Sequence, residues 1–331
     1  VATMMKLLLI GTGGIAHRHA SALKRIPEVE IAAVCDLDPI KAEQFVAKHG
    51  LTARVFTNAA AGLDAVRPTA VLLLTPRQVR LPMVRLCVER RLPLFMEKPP
   101  CHNLAVGNEI KELLLRAKLI HSVGFPHRYD PALQAGTARL AGERLAVVQI
   151  LVTSPMATKP FFQNAPDPYL VERSGGLVGD QGIHYVDVAR YIARSEVKAV
   201  RSLGTNRVLP VAPQVTTRDN AGWVLEMQNG VIVTHAHTWG AADWQCQIRL
   251  VTDRSDVTVD GFACKATGHV AGQPFAFDAG AGGILSQFEG EHRAFLAAVA
   301  TGDMQHVLSP YSDALESFRI TEEINHQLYE N

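Results

Sequence analysis

An aspartate and a histidine four positions apart, Asp180 and His184, stand behind the glycine pair Gly175-Gly176. On a helix beginning near Asp180 the two side chains would lie one above the other, a carboxylate beside an imidazole, able to take and return a proton. The same spacing is common on solvated helices, so it gains weight only from company elsewhere in the chain. Lys98 supplies it, in Glu97-Lys98-Pro99 directly after the apolar run Pro93-Leu94-Phe95-Met96. If that run is a strand of an open parallel sheet, Lys98 lies beyond its carboxyl end, where such sheets bind ligands. Pro99 restricts Lys98 to extended backbone angles. A lysine partly desolvated there can exchange protons near neutrality.

The elements that would position these groups are legible upstream. Lys6-Leu7-Leu8-Leu9-Ile10 reads as a short buried strand and runs into Gly11-Thr12-Gly13-Gly14-Ile15-Ala16, after which the pattern turns helical. In a dinucleotide-binding βαβ unit Gly11 makes the tight turn, Gly13 lets backbone approach the pyrophosphate, and Ala16 permits close helix-to-strand packing. The helix start offers N–H groups and a positive dipole end to the phosphates, with Gly14 and Ile15 in its first turn. Val29 to Cys35 reads as the next strand and ends in Asp36, twenty positions beyond Ala16. A carboxylate there accepts hydrogen bonds from the adenine-ribose hydroxyls and repels a 2′-phosphate, which favours NAD and leaves NADP possible.

The ordered set of glycine turn with Asp36, Thr75-Pro76, Glu97-Lys98-Pro99, the stretch Val123 to Pro131, and the glycine pair leading to Asp180 and His184 resembles the Gfo/Idh/MocA oxidoreductases over nearly the whole chain. The resemblance implies a cofactor site including Gly11, Gly13, Gly14, Ile15, Asp36, Thr75, Pro76, Glu97 and Lys98. It implies that Lys98 hydrogen-bonds the reacting oxygen, that His184 acts on it as acid or base, and that Asp180 orients the substrate. Oxidising a secondary alcohol removes a hydroxyl proton while hydride leaves carbon, which such a set suits. Which of Lys98 and His184 takes the proton is left open, since coupled groups titrate as a unit. The implied activity is hydride transfer between nicotinamide and a secondary hydroxyl or carbonyl of a sugar, sugar acid or cyclitol. Two alternatives are a member that keeps NAD bound for glycoside cleavage or epimerisation, and a non-catalytic cofactor sensor.

The resemblance also places Arg128 at the domain junction, facing the cleft as a substrate contact. Tyr169 follows Asp167-Pro168 in a Pro-rich loop able to close over the pocket, a second candidate for the substrate. Departures from the family pattern are Arg77 and Arg80 around Gln78, which would put positive charge near the adenine side, and Ser174 and Gly179, which would reshape the pocket wall.

The 331 residues predict two domains, a Rossmann domain over 1–124 and a substrate and oligomerisation domain over 125–331, with the C-terminal helices packing back on the first. Strand runs near Lys6, Ile31, Val55, Val71, Leu94 and Ile120 alternate with helical stretches, the pattern of a doubly wound parallel sheet. Beyond residue 125 longer strands dominate, such as Leu145 to Val152 and Ala221 to Met227, with Asn229-Gly230 as a hairpin turn. The fold class is therefore α/β, a Rossmann sheet followed by an α+β domain with a large, mainly antiparallel open sheet. Such a face needs cover, and the resemblance implies that copies pair through it, as a homodimer or homotetramer.

A formal net charge of +1, from 33 basic and 32 acidic side chains, provides no field for nucleic acid or an anionic membrane. Five scattered cysteines without a C-x-x-C spacing fit a reducing compartment and a cytoplasmic protein, and no run is long enough to span a bilayer. His235 and His237 share a strand face, but no ligand at matching spacing completes a site, so no metal is expected. His19 could touch the pocket and otherwise reads as helix surface, while Trp239 and Trp244 read as anchors of a loop.

Overall fold

The structure, a computed structural model, describes residues 4–157, 169–209 and 215–329. Asp167 and Pro168, which the sequence places in the loop before Tyr169, lie outside the described residues. The chain divides into two compact units, Val1–Pro126 with Leu285–Leu315, and His127–Ile284 with Glu316–Asn331.

In the first unit, β1 (Met5–Ile10), β2 (Val29–Cys35), β3 (Arg54–Phe56), β4 (Ala70–Leu73), β5 (Leu94–Glu97) and β6 (His121–Gly124) form a parallel sheet in the order β3-β2-β1-β4-β5-β6. They alternate with α1 (Gly14–Leu23), α2 (Pro39–His49), α3 (Ala59–Val66), α4 (Arg80–Glu89) and α5 (Leu104–Ala117). Strands β4, β5 and β6 are buried along their whole length because both sheet faces are covered, which explains why β4 and Leu94 to Met96 of β5 read as continuous apolar runs, while β6 buries His121 and Ser122 as well. The order reverses between β1 and β4, so the carboxyl ends of those neighbours open the crevice in which doubly wound sheets take their ligands. Asp38 caps α2 through the N–H groups of Ile40 and Lys41, with Pro39 at the first helical position.

The second unit begins with α6 (Pro131–Arg139), capped by Asp130, and β7 (Leu145–Thr153). It continues through α7 (Ile183–Ala193), β8 (Val197–Thr205), β9 (Asn220–Met227), β10 (Ile232–Thr238) and β11 (Gln245–Thr252). Three shorter strands follow, β12 (Asp256–Asp260), β13 (Lys265–Val270) and β14 (Gln273–Asp278). The sheet order is β14-β13-β12-β11-β7-β10-β9-β8, antiparallel except for the β7–β10 pair. Asn229-Gly230 does turn β9 into β10, with Gly230 at φ +88°. The short strands β12 to β14, which end in the sheet edge β14, are absent from the sequence expectation, because their few apolar residues alternate with Asp, Thr, Gly and Lys and leave no long apolar run to find.

Alternation in the long strands buries one face against α7 and leaves the other open. Val148, Ile150, Val152, Trp223, Leu225 and Val233 join the core with Val186, Val188 and Ala189. Leu151, Leu203, Val224 and Ile232 stand exposed on the other side. Two helices complete the described chain, α8 (Ile284–Thr301) and α9 (Tyr311–Tyr329). Phe295 and Leu296 of α8 pack into the core of the first unit with Leu7, Leu9, Ala16 and Phe95. No helix among the described residues is long and apolar enough to cross a membrane.

Candidate functional site

The glycine turn shows two different uses of the same residue. Gly11 sits at φ +100°, and a Cβ there would stand 2.7 Å from the Leu74 carbonyl oxygen at the end of the neighbouring strand. Gly13 and Gly14 lie in permitted angles, and a Cβ on either would meet no protein atom within 4 Å. Gly13 precedes α1 in extended geometry and makes no side-chain cap, so the first turn of α1, with Gly14 and Ile15, presents N–H groups and a positive dipole end outward. Gly11→Ala should therefore lower thermal stability, with a strain cost of about 1–3 kcal/mol. Gly13→Ala should melt as wild type but bind NAD about tenfold more weakly, because its Cβ occupies room a pyrophosphate needs. Differential scanning fluorimetry and calorimetric NAD titration read the two effects separately.

Asp36, at the end of β2, is drawn back over this turn. Its Oδ2 accepts from the Thr12 amide at 2.8 Å and from Thr12 Oγ1 at 2.7 Å, and its Oδ1 accepts from the Asp38 amide. Partial burial works against its charge, but these hydrogen bonds outweigh it and hold the carboxyl below its usual range. Asp36 is thus a fixed, ionised group beside the glycine turn. Thr12, unremarked in the sequence, is its anchor.

Arg80 departs from expectation. Its guanidinium is fully buried and donates to the carbonyls of Leu73 at 2.8 Å and Thr75 at 3.0 Å, clamping the end of β4 and the Thr75-Pro76 turn. Burial lowers its pKa to about 10, with Glu97 opposing that fall. It is a buried backbone clamp and supplies no exposed charge on an adenine side; Arg77, too, is largely buried.

Glu97 closes β5 and is buried, with His19 Nε2 2.8 Å from its Oε1. Burial opposes its ionisation, yet the hydrogen bond from His19 and the charges of His19, Lys98 and Arg80 bring its pKa down. Lys98 follows at half-exposed depth, joined to Pro99 by a cis peptide bond. His19, read from sequence as a surface or pocket residue of α1, is wholly buried.

In the second unit the expected helix start is a π-helical turn, Val178–Gly182, that runs into α7. Asp180 lies in this wider turn and His184 in the first turn of α7, so the simple 3.6-residue stacking does not carry over unchanged. Close packing enforces the turn. A Cβ on Gly179 would stand 3.0 Å from the Ser174 carbonyl oxygen, and one on Gly182 would stand 3.0 Å from the Trp223 ring. Gly176 holds φ +64° against Thr217, whose hydroxyl accepts from the Leu177 amide.

Gln181, overlooked in the sequence, fixes the turn from below. Its Oε1 accepts from Trp239 Nε1 at 3.0 Å and Ser154 Oγ at 3.2 Å, and lies 3.0 Å from His237 Nε2. His237 and His235 are therefore core groups, and burial pushes the pKa of each down, that of His237 to about 3. His235 stacks on Trp223 with centroids 3.8 Å apart. His184 has the buried His127 ring edge-on at 5.7 Å.

The two expected substrate contacts lie in the interior. Arg128 is 4% exposed, and its Nε and Nη2 each donate to a separate Asp187 oxygen at 2.7 Å. The Tyr169 hydroxyl donates to the Met156 carbonyl, and its ring meets Trp239 edge-on. A substrate role for either now rests on the resemblance alone.

Comparison with known proteins agrees with this geometry. Residues 5–125 match the family described as "Oxidoreductase family, NAD-binding Rossmann fold" (GFO_IDH_MocA), and residues 144–258 match the "GFO/IDH/MocA C-terminal domain". A scyllo-inositol 2-dehydrogenase (NAD(+)) of Bacillus subtilis is 28% identical over 232 residues, 68% of this chain and 65% of that protein. An inositol 2-dehydrogenase of Rubrobacter xylanophilus is 30% identical over 205 residues, 60% of this chain and 55% of that protein. The chain thus spans under two thirds of the length of these curated relatives. Among solved structures, a levoglucosan dehydrogenase in complex with NADH superposes with a TM-score of 0.86 at 17% identity, over 98% of this chain and 97% of that one, which establishes the shared fold.

Proposed function

Because the chain belongs to the Gfo/Idh/MocA oxidoreductases and carries their NAD-binding Rossmann domain, we propose that it is an NAD-dependent dehydrogenase or reductase acting on a secondary hydroxyl or carbonyl of a sugar, sugar acid or cyclitol. The observation that carries the cofactor is the pairing of an ionised, anchored Asp36 with a glycine turn whose Gly13 and Gly14 leave space for a pyrophosphate. The first turn of α1 would hold the phosphates and Asp36 the adenine ribose, with Thr75, Pro76 and Glu97 lining the same sheet edge. When bound, NAD supplies the hydride acceptor and the chain supplies binding and proton handling.

In this mechanism Lys98 Nζ hydrogen-bonds the reacting oxygen and stabilises negative charge on it, while the His184 ring exchanges the proton and Asp180 orients the neighbouring hydroxyls. Lys98 belongs to the first unit and Asp180 and His184 to the second, so their convergence on one substrate is part of the proposal. The polarity of this set suits a polyhydroxylated molecule. The relatives named above act, by their names, on inositols. The apolar outer face of the second sheet, with Leu151, Leu203, Val224 and Ile232, supports pairing of copies through that face.

The test is a screen of inositols, sugars and sugar acids with NAD or NADP, followed at the absorbance of the reduced nicotinamide. NADH formation with one substrate group, at least about tenfold above the NADP signal, is expected. Product formation without NADH release would indicate a bound cofactor recycled within one turnover, and NAD binding without any product would indicate a sensor.

A further inference from the structure

The first unit contains a polar cluster that the proposed chemistry does not use. His19 on α1 and Glu291 and His292 on α8 are all fully buried, and one potential ligand atom from each lies within 4.8 Å of the other two. His19 Nδ1 stands 2.9 Å from His292 Nε2 and 4.0 Å from a Glu291 oxygen. Neither oxygen of Glu291 finds a hydrogen-bond partner among the described residues, and His292 Nδ1 finds none either. An unsatisfied carboxylate at zero exposure is costly, and two carboxylates share this interior, since Glu97 holds the other side of His19.

We propose that His19 Nδ1, His292 Nε2 and the Glu291 carboxylate form a binding site for a divalent transition ion, zinc by preference. Two imidazoles and one carboxylate are a common zinc set; with bonds of about 2.0–2.2 Å a tetrahedral ion holds its ligand atoms roughly 3.3–3.6 Å apart, so the His19–His292 pair must open slightly from 2.9 Å and the Glu291 side chain must swing in from 4.0 Å of His19. Both unpartnered oxygens of Glu291 are then engaged, either as a bidentate ligand or with one holding a bound water. The ion would displace the proton that the two imidazoles otherwise share, and its charge would offset those of Glu97 and Glu291 together.

The surroundings carry the argument further. His19 offers its second nitrogen, Nε2, to Glu97 at 2.8 Å. That carboxylate–histidine arrangement fixes the ring of a metal ligand and raises its basicity. Phe95 and Phe288 meet the His19 ring edge-on, and Phe95 also packs on His292, forming the apolar shell that excludes water from such sites. Burial and the Glu97 charge push the Glu291 pKa well up, and burial drives that of His292 well down.

Purified protein incubated with zinc chloride and passed through a desalting column should retain about one zinc per chain by elemental analysis, and should melt higher than the chelator-treated protein. Glu291→Gln and His292→Gln should each lower retained zinc at least tenfold and abolish the melting shift. His49→Gln should leave both unchanged, because His17 with His49, another close imidazole pair, has no third ligand within reach among the described residues. Cobalt(II) added to wild type should give the intense visible bands of a four-coordinate site, which reports on the cluster even if a variant fails to fold. Retention below about a tenth of an equivalent in wild type, zinc held equally by Glu291→Gln, or only the weak spectrum of six-coordinate cobalt would overturn the proposal. The cluster would then be a hydrogen-bonded pair beside a neutral carboxylic acid.

Discussion

Lys98→Ala is expected to lower kcat about a thousandfold on whichever polyol the screen identifies, with NAD affinity held within a few-fold of wild type. The expectation follows from placement. Lys98 is the first residue beyond β5, at the carboxyl end of the sheet where the proposed function puts substrate and nicotinamide, whereas it assigns the pyrophosphate to the first turn of α1. Removing the ammonium withdraws charge stabilisation that matters only as the oxygen becomes an alkoxide, so the loss belongs in kcat more than in cofactor binding. His184→Ala should cost a similar factor. The double variant should be little worse than either single one, because groups that act on one proton act as a unit. The pH profile then divides the roles. If His184 is the proton acceptor, Lys98→Ala keeps the acidic limb of kcat/KM and His184→Ala loses it; the converse assigns the proton to Lys98. Turnover within a few-fold of wild type in both single variants would refute the mechanism.

How much of this was legible in the chain depends on the distance along it over which each feature is built. The Rossmann half was readable because strand, glycine turn, helix and acid follow each other within residues 6–36, and each glycine has a local reason to be there. The helix start that carries Asp180 and His184 was readable in residue type but not in geometry. Nothing in Asp180-Gln181-Gly182-Ile183-His184 announces a π turn, which arises from Gly179 against Ser174 and Gly182 against Trp223. Arg80 misled because a charged side chain in a polar-looking loop reads as exposed, while its real partners are the carbonyls of Leu73 and Thr75, groups present at every residue and therefore invisible as a pattern. His19 and His292 lie 273 positions apart, so no spacing rule could join them. The short strands β12 to β14 escaped for the opposite reason, the lack of a long apolar run in segments of five or six.

Arg128→Ala should destabilise the protein by about 3–5 kcal/mol, the second large effect expected here. Sequence comparison alone would read a junction arginine as a substrate clamp, and that role predicts a raised KM with unchanged stability. The geometry predicts otherwise. Arg128 and Asp187 are 4% and 1% exposed and joined by two parallel hydrogen bonds of 2.7 Å. Ser317 donates to the same Asp187 at 2.9 Å and accepts from Arg190 at 2.7 Å. Truncating Arg128 takes both guanidinium hydrogen bonds away from the buried Asp187 carboxylate, and most of the cost is the loss of that charge pairing at a desolvated site. Arg128→Lys should be only partly tolerated, since an ammonium cannot make both parallel bonds. Replacing both partners, as Arg128→Met with Asp187→Leu, should recover much of the loss, because no uncompensated charge remains. Urea unfolding midpoints of the four proteins measure this directly. A midpoint for Arg128→Ala equal to wild type, combined with a KM raised tenfold or more, would instead return Arg128 to the substrate. On the proposed mechanism the pair also bears on catalysis through α7, which carries Asp187 one turn beyond His184, so a loosened Asp187 should also raise the apparent disorder of the His184 ring and lower kcat modestly before it unfolds the chain.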